Sequence, residues 1–511
     1  MIKRFYFVVV MTLVLTGCQQ EVRDYYITSY GAKADGTTLN TISIQKAIDA
    51  CYENGGGKVV VPPGDFVTGT IVLRSDVNLY LEQGATLLGS MDTADYRIDG
   101  QRHGMIYAVQ STGITISGEG EIDGRGSSFH LADRAHMGED FDRKVTRQGE
   151  QYMPPATVPA DGPIGFDARP GMMVVLLQCE QVAIRDVTFT DSPVWCFRIA
   201  DCDDVVVSGI SIRNNLLVPN SDGIHCTTSR NVRISDCDIR AGDDAIIVTG
   251  FGTQVGVSGD VNTKLDYTTR EFGNKTGYAE NVVVTNCLLQ SRSAGIRVGY
   301  GINPIRNCVF SNLVIHDSNR GVGVFSRDDG FIENILFSNI TIQNRIHSGH
   351  WWGNGEPIHV SAIKQDPQIP AGPIRNIRFR NIIAESENGI VIYGTEESPI
   401  SDVWLEEVSI RISSGINSET YGGNFDLRPV YDRDLGIFKH DIPALYSQYT
   451  DGLTIREFRV EWGEDLPDYM SHAIYCKEYE NLTICDFDGR AAKPGIKVIE
   501  LDNWKNAVIK P

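Results

Sequence analysis

The chain has 511 residues, 41% of them hydrophobic and 22% charged, with 51 glycines and a formal net charge of -20. This is a globular, turn-rich composition, and its acidity excludes a nucleic-acid partner, which would need a basic surface. An acidic ligand would have to be gripped by local arginines, because the overall field repels it.

At the N-terminus, Lys3 and Arg4 precede an apolar run from Phe5 to Leu15, which leads into Thr16-Gly17-Cys18. The run is too short to span a bilayer and reads as a targeting segment. Its end resembles a bacterial lipobox. Residues 1–18 are therefore expected to be a lipoprotein signal segment with Cys18 as the lipid-attachment residue, and 19–511 a single domain. The expectation is an exported bacterial lipoprotein of the outer membrane or periplasm, monomeric, with membrane attachment through the N-terminal lipid only. An ordinary cleaved secretory signal is the alternative.

Next in the chain, Ile44, Ala47, Ile48 and Cys51 share one helical face, which predicts a short helix over 41–53 stopped by the glycines after Asn54. From residue 181 onward a phrase recurs: QVAIRDVTF at Gln181, DVVVSGISI at Asp204, NVRISDCDI at Asn231, NVVVTNCLL at Asn281, NCVFSNLVI at Asn307, NILFSNITI at Asn334, NIRFRNIIA at Asn376 and DVWLEEVSI at Asp402. Looser copies begin at Gly452 and Asn481. The commonest interval is about 26 residues, and alternating apolar positions mark short strands in every copy. The predicted fold is all-β, a single right-handed parallel β-helix with the 41–53 helix as its cap and with long loop inserts near 126–170, 251–279, 344–373 and 412–449. Cys237 and Cys287 fill the slot that other copies give to Val187, Ile210, Leu313, Ile340 and Val408, so they are expected to be core residues. Disulfides are the alternative, with a Cys476–Cys485 pair left open. No CxxC motif supports a zinc site, and a lone HxxH at His347 and His350 is weak.

A second strand opens after each phrase, at Asp222-Gly223-Ile224, Asp244-Ala245-Ile246, Ala294-Gly295-Ile296 and Arg320-Gly321-Val322. Stacked coils lie about 4.8 Å apart, so Asp222 and Asp244 should be neighbours, with Asp243 beside them. Three crowded carboxylates raise one another's pKa. A protonated acid beside ionised carboxylates suits glycosidic hydrolysis, in which one group protonates the leaving oxygen and another activates water. Turn chemistry and calcium binding are the competing explanations of the acids; neither a metal nor a cofactor is expected.

The sequence resembles glycoside hydrolase family 28, the polygalacturonases and their relatives. GAKADG at Gly31, GGGKVVVPPGDFVTG at Gly55, LYLEQGATLLGS at Leu79, EIDGRG at Glu121, RPGMMVVLLQCEQVAI at Arg169, DSPVW at Asp191, NSDG at Asn220 and GDD at Gly242 carry the resemblance. It implies Asp243 as general acid, Asp222 and Asp244 as the carboxylates that activate water, and inversion at the anomeric carbon. Coil spacing alone is nearer the retaining separation of about 5 Å, so inversion comes only from the resemblance. The family's Gly-His-Gly falls here on Ser293-Ala294-Gly295 and its Arg-Ile-Lys on Gly323-Val324-Phe325. The expected substitutes in substrate binding are His225, Arg297 and Arg320, with Arg292, Arg306 and Arg327 as nearby candidates. Trp351 and Trp352 would stack on sugar or pack under their loop.

The expected activity is an inverting, exo-acting glycoside hydrolase whose partner is a pectin-like polysaccharide or oligosaccharide, of galacturonate or rhamnogalacturonan type. The alternatives are hydrolysis of a neutral, α-galactoside-type glycan, a polysaccharide lyase, and a non-catalytic carbohydrate-binding solenoid.

Overall fold

A computed structural model describes residues 24–98, 100–136, 161–252 and 277–510. Cys18 and parts of the inserts near 126–170 and 251–279 lie outside the described residues. Thirty-four strands form one continuous sheet in which most pairings are parallel and join strands of successive coils. Val182, Val205, Val232, Val282, Cys308, Ile335, Ile377, Val403 and Leu453 follow one another in register, one per coil, and all are buried. The predicted helix forms as Thr41–Glu53, with Ile44, Ala47, Ile48 and Cys51 turned inward to close the first coils.

The recurrent asparagines have a backbone reason. Asn231, Asn281, Asn307, Asn334 and Asn376 adopt left-handed φ values of 54–58°, which asparagine tolerates better than most residues. Their side chains then form a rung between coils, as in Asn281 to Asn231 at 3.0 Å and Asn334 to Asn307 at 3.1 Å. A corner residue thus satisfies its backbone and its amide together.

Cys237 and Cys287 are buried in consecutive coils, and their thiols donate to the Ser235 and Thr285 carbonyls at 3.1 and 3.2 Å. Cys476 and Cys485 are free thiols on one strand, Ile474–Cys485, so the pairing left open by the sequence does not form. Among the described residues no helix is long and apolar enough to cross a membrane.

Phe310, Phe337 and Phe379 stack along the core with centroids 5.0 and 4.9 Å apart and nearly parallel planes. Phe337 has a ring on each side and no exposure. Phe337→Ala is expected to destabilise the fold by about 3–5 kcal/mol, read as a lower denaturant midpoint; a loss under about 1 kcal/mol would mean that neighbouring coils close over the cavity.

Candidate active site

The site is built where two corners meet. Ile224–Thr227 pairs with Ile246–Gly250, Ile224 opposite Ile246, and the Gly223 amide donates to the Asp244 carbonyl at 2.9 Å. Asp222 and Asp244 therefore stand in step on adjacent coils. A side chain at Gly223 would meet the Ala245 carbonyl oxygen at 2.3 Å, and one at Gly242 would meet the Val218 carbonyl oxygen at 2.2 Å. Glycine at both corners is what lets the coils approach this closely. The first corner is pinned from behind: Arg169 donates to Asn220 Oδ1 at 2.9 Å, and the Asn214 amide to the Ser221 carbonyl at 2.9 Å. The second is tied to it by the Gly242 amide, which donates to Ser221 Oγ at 3.0 Å.

Asp222, Asp243 and Asp244 bring one carboxylate oxygen each to within 4.8 Å of the others, and all three are buried. Asp243 Oδ1 accepts the Asp244 amide at 2.9 Å. Asp244 Oδ1 accepts Ser293 Oγ at 2.6 Å and the Ala294 amide at 2.8 Å, and its Oδ2 lies 2.7 Å from Arg297 Nη1. Burial, and after it the charge on Asp244, pushes Asp243 up to about 7 against the pull of Arg297. Burial, then Asp243 and Asp244, pushes Asp222 well above the usual carboxylate range. Among the described residues, these three acids form the one cluster of three or more ligand-type side chains close enough to share a cation, and Arg297 already sets a positive charge against them.

A cleft of about 740 Å³, counting the part open to solvent, lies over the acids. Asp222, Asp243, Ser293 and Arg297 line it together with Trp195, Phe251, Tyr300 and Phe325, and the two later inserts add Trp352, Arg428 and Pro429. Such a mix of aromatic faces and a few polar groups suits a sugar.

The substrate-binding expectations fare unequally. His225 does not line the cleft. It is fully buried, tilted at 35° against Trp195 with ring centroids 3.9 Å apart, and bonded through Nε2 to Thr249 at 3.1 Å. Its Nδ1 lies 3.9 Å from Asp222. The strand alternates it with the core residues Ile224 and Cys226, so it shares the cleft side with Arg297 in register but lies covered by Trp195 and Phe251, where burial, then Arg297 and Arg198, drive its pKa well below normal and keep it neutral. Arg297 does line the cleft, but it turns back to Asp244 rather than reaching towards Gly323, its neighbour in register. Arg320 follows Ala294 in register, as expected, and also lines the cleft. Arg292 pairs with Asp317 and Arg306 with Glu280, while Arg327 is fully buried on the Ser326, Ser361 and Leu427 carbonyls. None of these three lines the cleft. Trp351 packs under its loop and donates to the Asp161 carbonyl at 2.8 Å, whereas Trp352 is in the wall. His347 pairs with Asp161 at 3.1 Å, and His350 meets Arg428 at 3.3 Å. Sequence reasoning missed Phe251, Tyr300 and Arg428; Trp195, in the DSPVW motif, carried a signal that went unused.

The model of glycosyl hydrolases family 28 matches residues 165–424. The chain belongs to glycosyl hydrolases family 28. This family 28 chain is 32% identical over 255 residues to an exo-poly-alpha-D-galacturonosidase of Dickeya chrysanthemi, a match covering 44% of this chain and 42% of that one. It is 22% identical over 409 residues to a probable polygalacturonase of Vitis vinifera, covering 76% and 74%. Among solved structures, an exopolygalacturonase from Thermotoga maritima superposes with a TM-score of 0.60 at 19% identity, covering 86% of this chain and 92% of that one. The family 28 exopolygalacturonase of Yersinia enterocolitica gives 0.59 at 17%, covering 95% and 78%. The fold is the right-handed parallel β-helix that the repeat predicts, and as a family 28 member the protein is a glycoside hydrolase.

The raised pKa of Asp243 makes stability depend on pH. A carboxyl whose folded pKa stands near 7, above an unfolded value of about 3.9, lends its full stabilisation below the unfolded value and loses it as pH rises through 7. Asp243→Asn, which cannot ionise, is therefore expected to melt higher than the parent at pH 8, by a margin larger than at pH 5. Equal margins at both pH values would show that Asp243 is not protonated in the folded state.

Proposed function

We propose that the protein hydrolyses glycosidic bonds of a pectin-like, uronide-containing chain from its ends with inversion, using Asp243 as general acid and Asp222 and Asp244 to hold and activate water. The observation that carries this is the buried acid trio under the cleft of a family 28 chain, in which Asp243 stands near pKa 7. A general acid works best with a pKa close to the operating pH. Asp244 is fixed by Ser293, the Ala294 amide and Arg297, so the water it would orient has a defined place. Arg297 offsets part of the repulsion among the acids.

The pectin-like substrate is supported by the galacturonosidase and polygalacturonase relatives. Attack at chain ends is supported by the two late inserts, which add Trp352, Arg428 and Pro429 to the cleft lining. One observation favours a neutral sugar instead: Gly323 and Phe325 stand where the family's Arg-Ile-Lys motif would place cations, and Arg297 is committed to Asp244. Cys18 is proposed as a lipid anchor on the lipobox pattern; Cys18→Ala would then abolish incorporation of labelled fatty acid, and retained label would refute the anchor.

Asp243→Asn should lower hydrolysis by about 10²–10⁴-fold without loss of fold; retention of more than about a tenth of parental activity would move the acid role elsewhere. In the parent, kcat/KM should fall as pH rises past about 7, where Asp243 gives up its proton. Early products should be mono- or disaccharides, and a broad oligosaccharide ladder with rapidly falling viscosity would rule out end attack.

A further inference from the structure

Arg320 is the cleft-lining cation with the loosest commitments. Its side chain is 3% exposed, yet both of its ion pairs are long, 3.6 Å to Glu356 and 3.6 Å to Asp426. Each of those carboxylates is engaged more closely elsewhere. Asp426 accepts Arg428 at 2.8 and 3.0 Å and the Gly353 amide at 2.6 Å. Glu356 accepts the Asn354 and Asp426 amides at 2.7 and 2.8 Å. Among the described residues, the Arg320 side chain donates one hydrogen bond, to the Asp426 carbonyl at 3.2 Å, and its buried Nε meets no acceptor. A guanidinium has five donors, and buried donors without acceptors are costly.

Its surroundings are shaped to hold it there. Gly323 leaves room for its stem: a Cβ at that position would lie 3.4 Å from Arg320 Cδ and 2.5 Å from the Phe325 ring. The Phe325 ring supports the guanidinium at 4.9 Å. Gly353, with φ of +95°, brings the first of the two late inserts over it. Asp426, from the second insert, clasps both Arg320 and that loop through Gly353. The same substitutions that remove cations from Gly323 and Phe325 therefore seat another one beside them. Arg320 stands two coil spacings beyond Asp244, roughly 10 Å along the groove, which is the position of a sugar next to the bond that the acids address.

We infer that the wall where the two late inserts meet is an anion-recognition subsite, in which Arg320 grips a carboxylate on the sugar adjoining the cleaved bond while Glu356 and Asp426 act as positioning residues. A planar guanidinium and a carboxylate match two-pronged hydrogen bonding, and the anion meets the terminal amino groups on the cleft side, where Nη2 makes the side chain's one hydrogen bond to a described residue. The inference rests on the uronide reading of the substrate.

The test is calorimetric titration of the full chain carrying Asp243→Asn, with galacturonate and with galactose as probes. The parent of this series is expected to prefer galacturonate. Adding Arg320→Gln should weaken galacturonate binding about 30-fold, or about 2 kcal/mol, and leave galactose binding unchanged. Arg320→Lys, which keeps the charge and loses the fork, should fall between, and it serves if the Gln variant does not melt cooperatively. An undiminished preference for galacturonate in either folded variant overturns the subsite and leaves the uronide reading standing. A parent that binds galactose as well as galacturonate overturns the uronide reading itself.

Discussion

Each coil passes its register to the next through parallel backbone hydrogen bonds, and that ladder decides which side chains meet. Because the pairing is in step, residues at one place in the repeat become a column about 4.8 Å apart. Val205, Val232 and Val282 become a core column in this way, and the left-handed corner asparagines become rungs of amides. The same rule makes neighbours of Asp222 and Asp244, which would stay apart in any arrangement that lost the register. The ladder is thus both scaffold and active-site template. A slip of one residue would turn the acids inward and the valines out.

Crowding acids in this way works against stability. Burial and mutual repulsion push Asp222 and Asp243 up, and both are almost wholly withdrawn from water. The long aliphatic and aromatic columns on either side hold the coils together while the corner is strained electrostatically. Arg297, at 2.7 Å from Asp244, is the local compensation. That pairing also explains why an arginine in the column expected to read substrate is not free to do so. Removing it would leave three buried carboxylates with one fewer counter-charge, so its role in the acid cluster comes before any role in recognition. His225, sealed under Trp195 and neutral, fills the layer beneath Asp222 without adding charge.

The parts of the molecule legible in the sequence are those the repeat itself dictates. The strand columns, the helix from Thr41 to Glu53, the burial of Cys237 and Cys287 and the step from Asp222 to Asp244 all follow from periodicity. Which way a side chain leaves its column was harder to read. Arg297 and His225 hold the expected register, but one bends back to an acid and the other is roofed over by Trp195 and Phe251, because rotamers answer to neighbours in space. The inserts were the least legible. Arg428 enters the cleft from a loop far along the chain, and no period or spacing connects it with Trp352, over which its guanidinium lies at 4.9 Å. Of the tryptophan pair, one anchors the loop on Asp161 and the other faces the cleft, a division that adjacent identical residues conceal.

The distribution of charge bears on how such a site would work. The whole chain carries -20, so at long range it repels a polyanion, and salt within a Debye length of about 8 Å at physiological strength mutes that repulsion. Attraction must then act at contact. The cations at the cleft, Arg297, Arg320 and Arg428, are each braced by a carboxylate rather than extended into solvent. Braced guanidinium groups lose little side-chain entropy when a ligand arrives, and in a low-dielectric pocket a short contact counts for more than a distant field. A site of this kind selects by fit at close quarters, at the expense of the fast, steered capture that a basic surface gives.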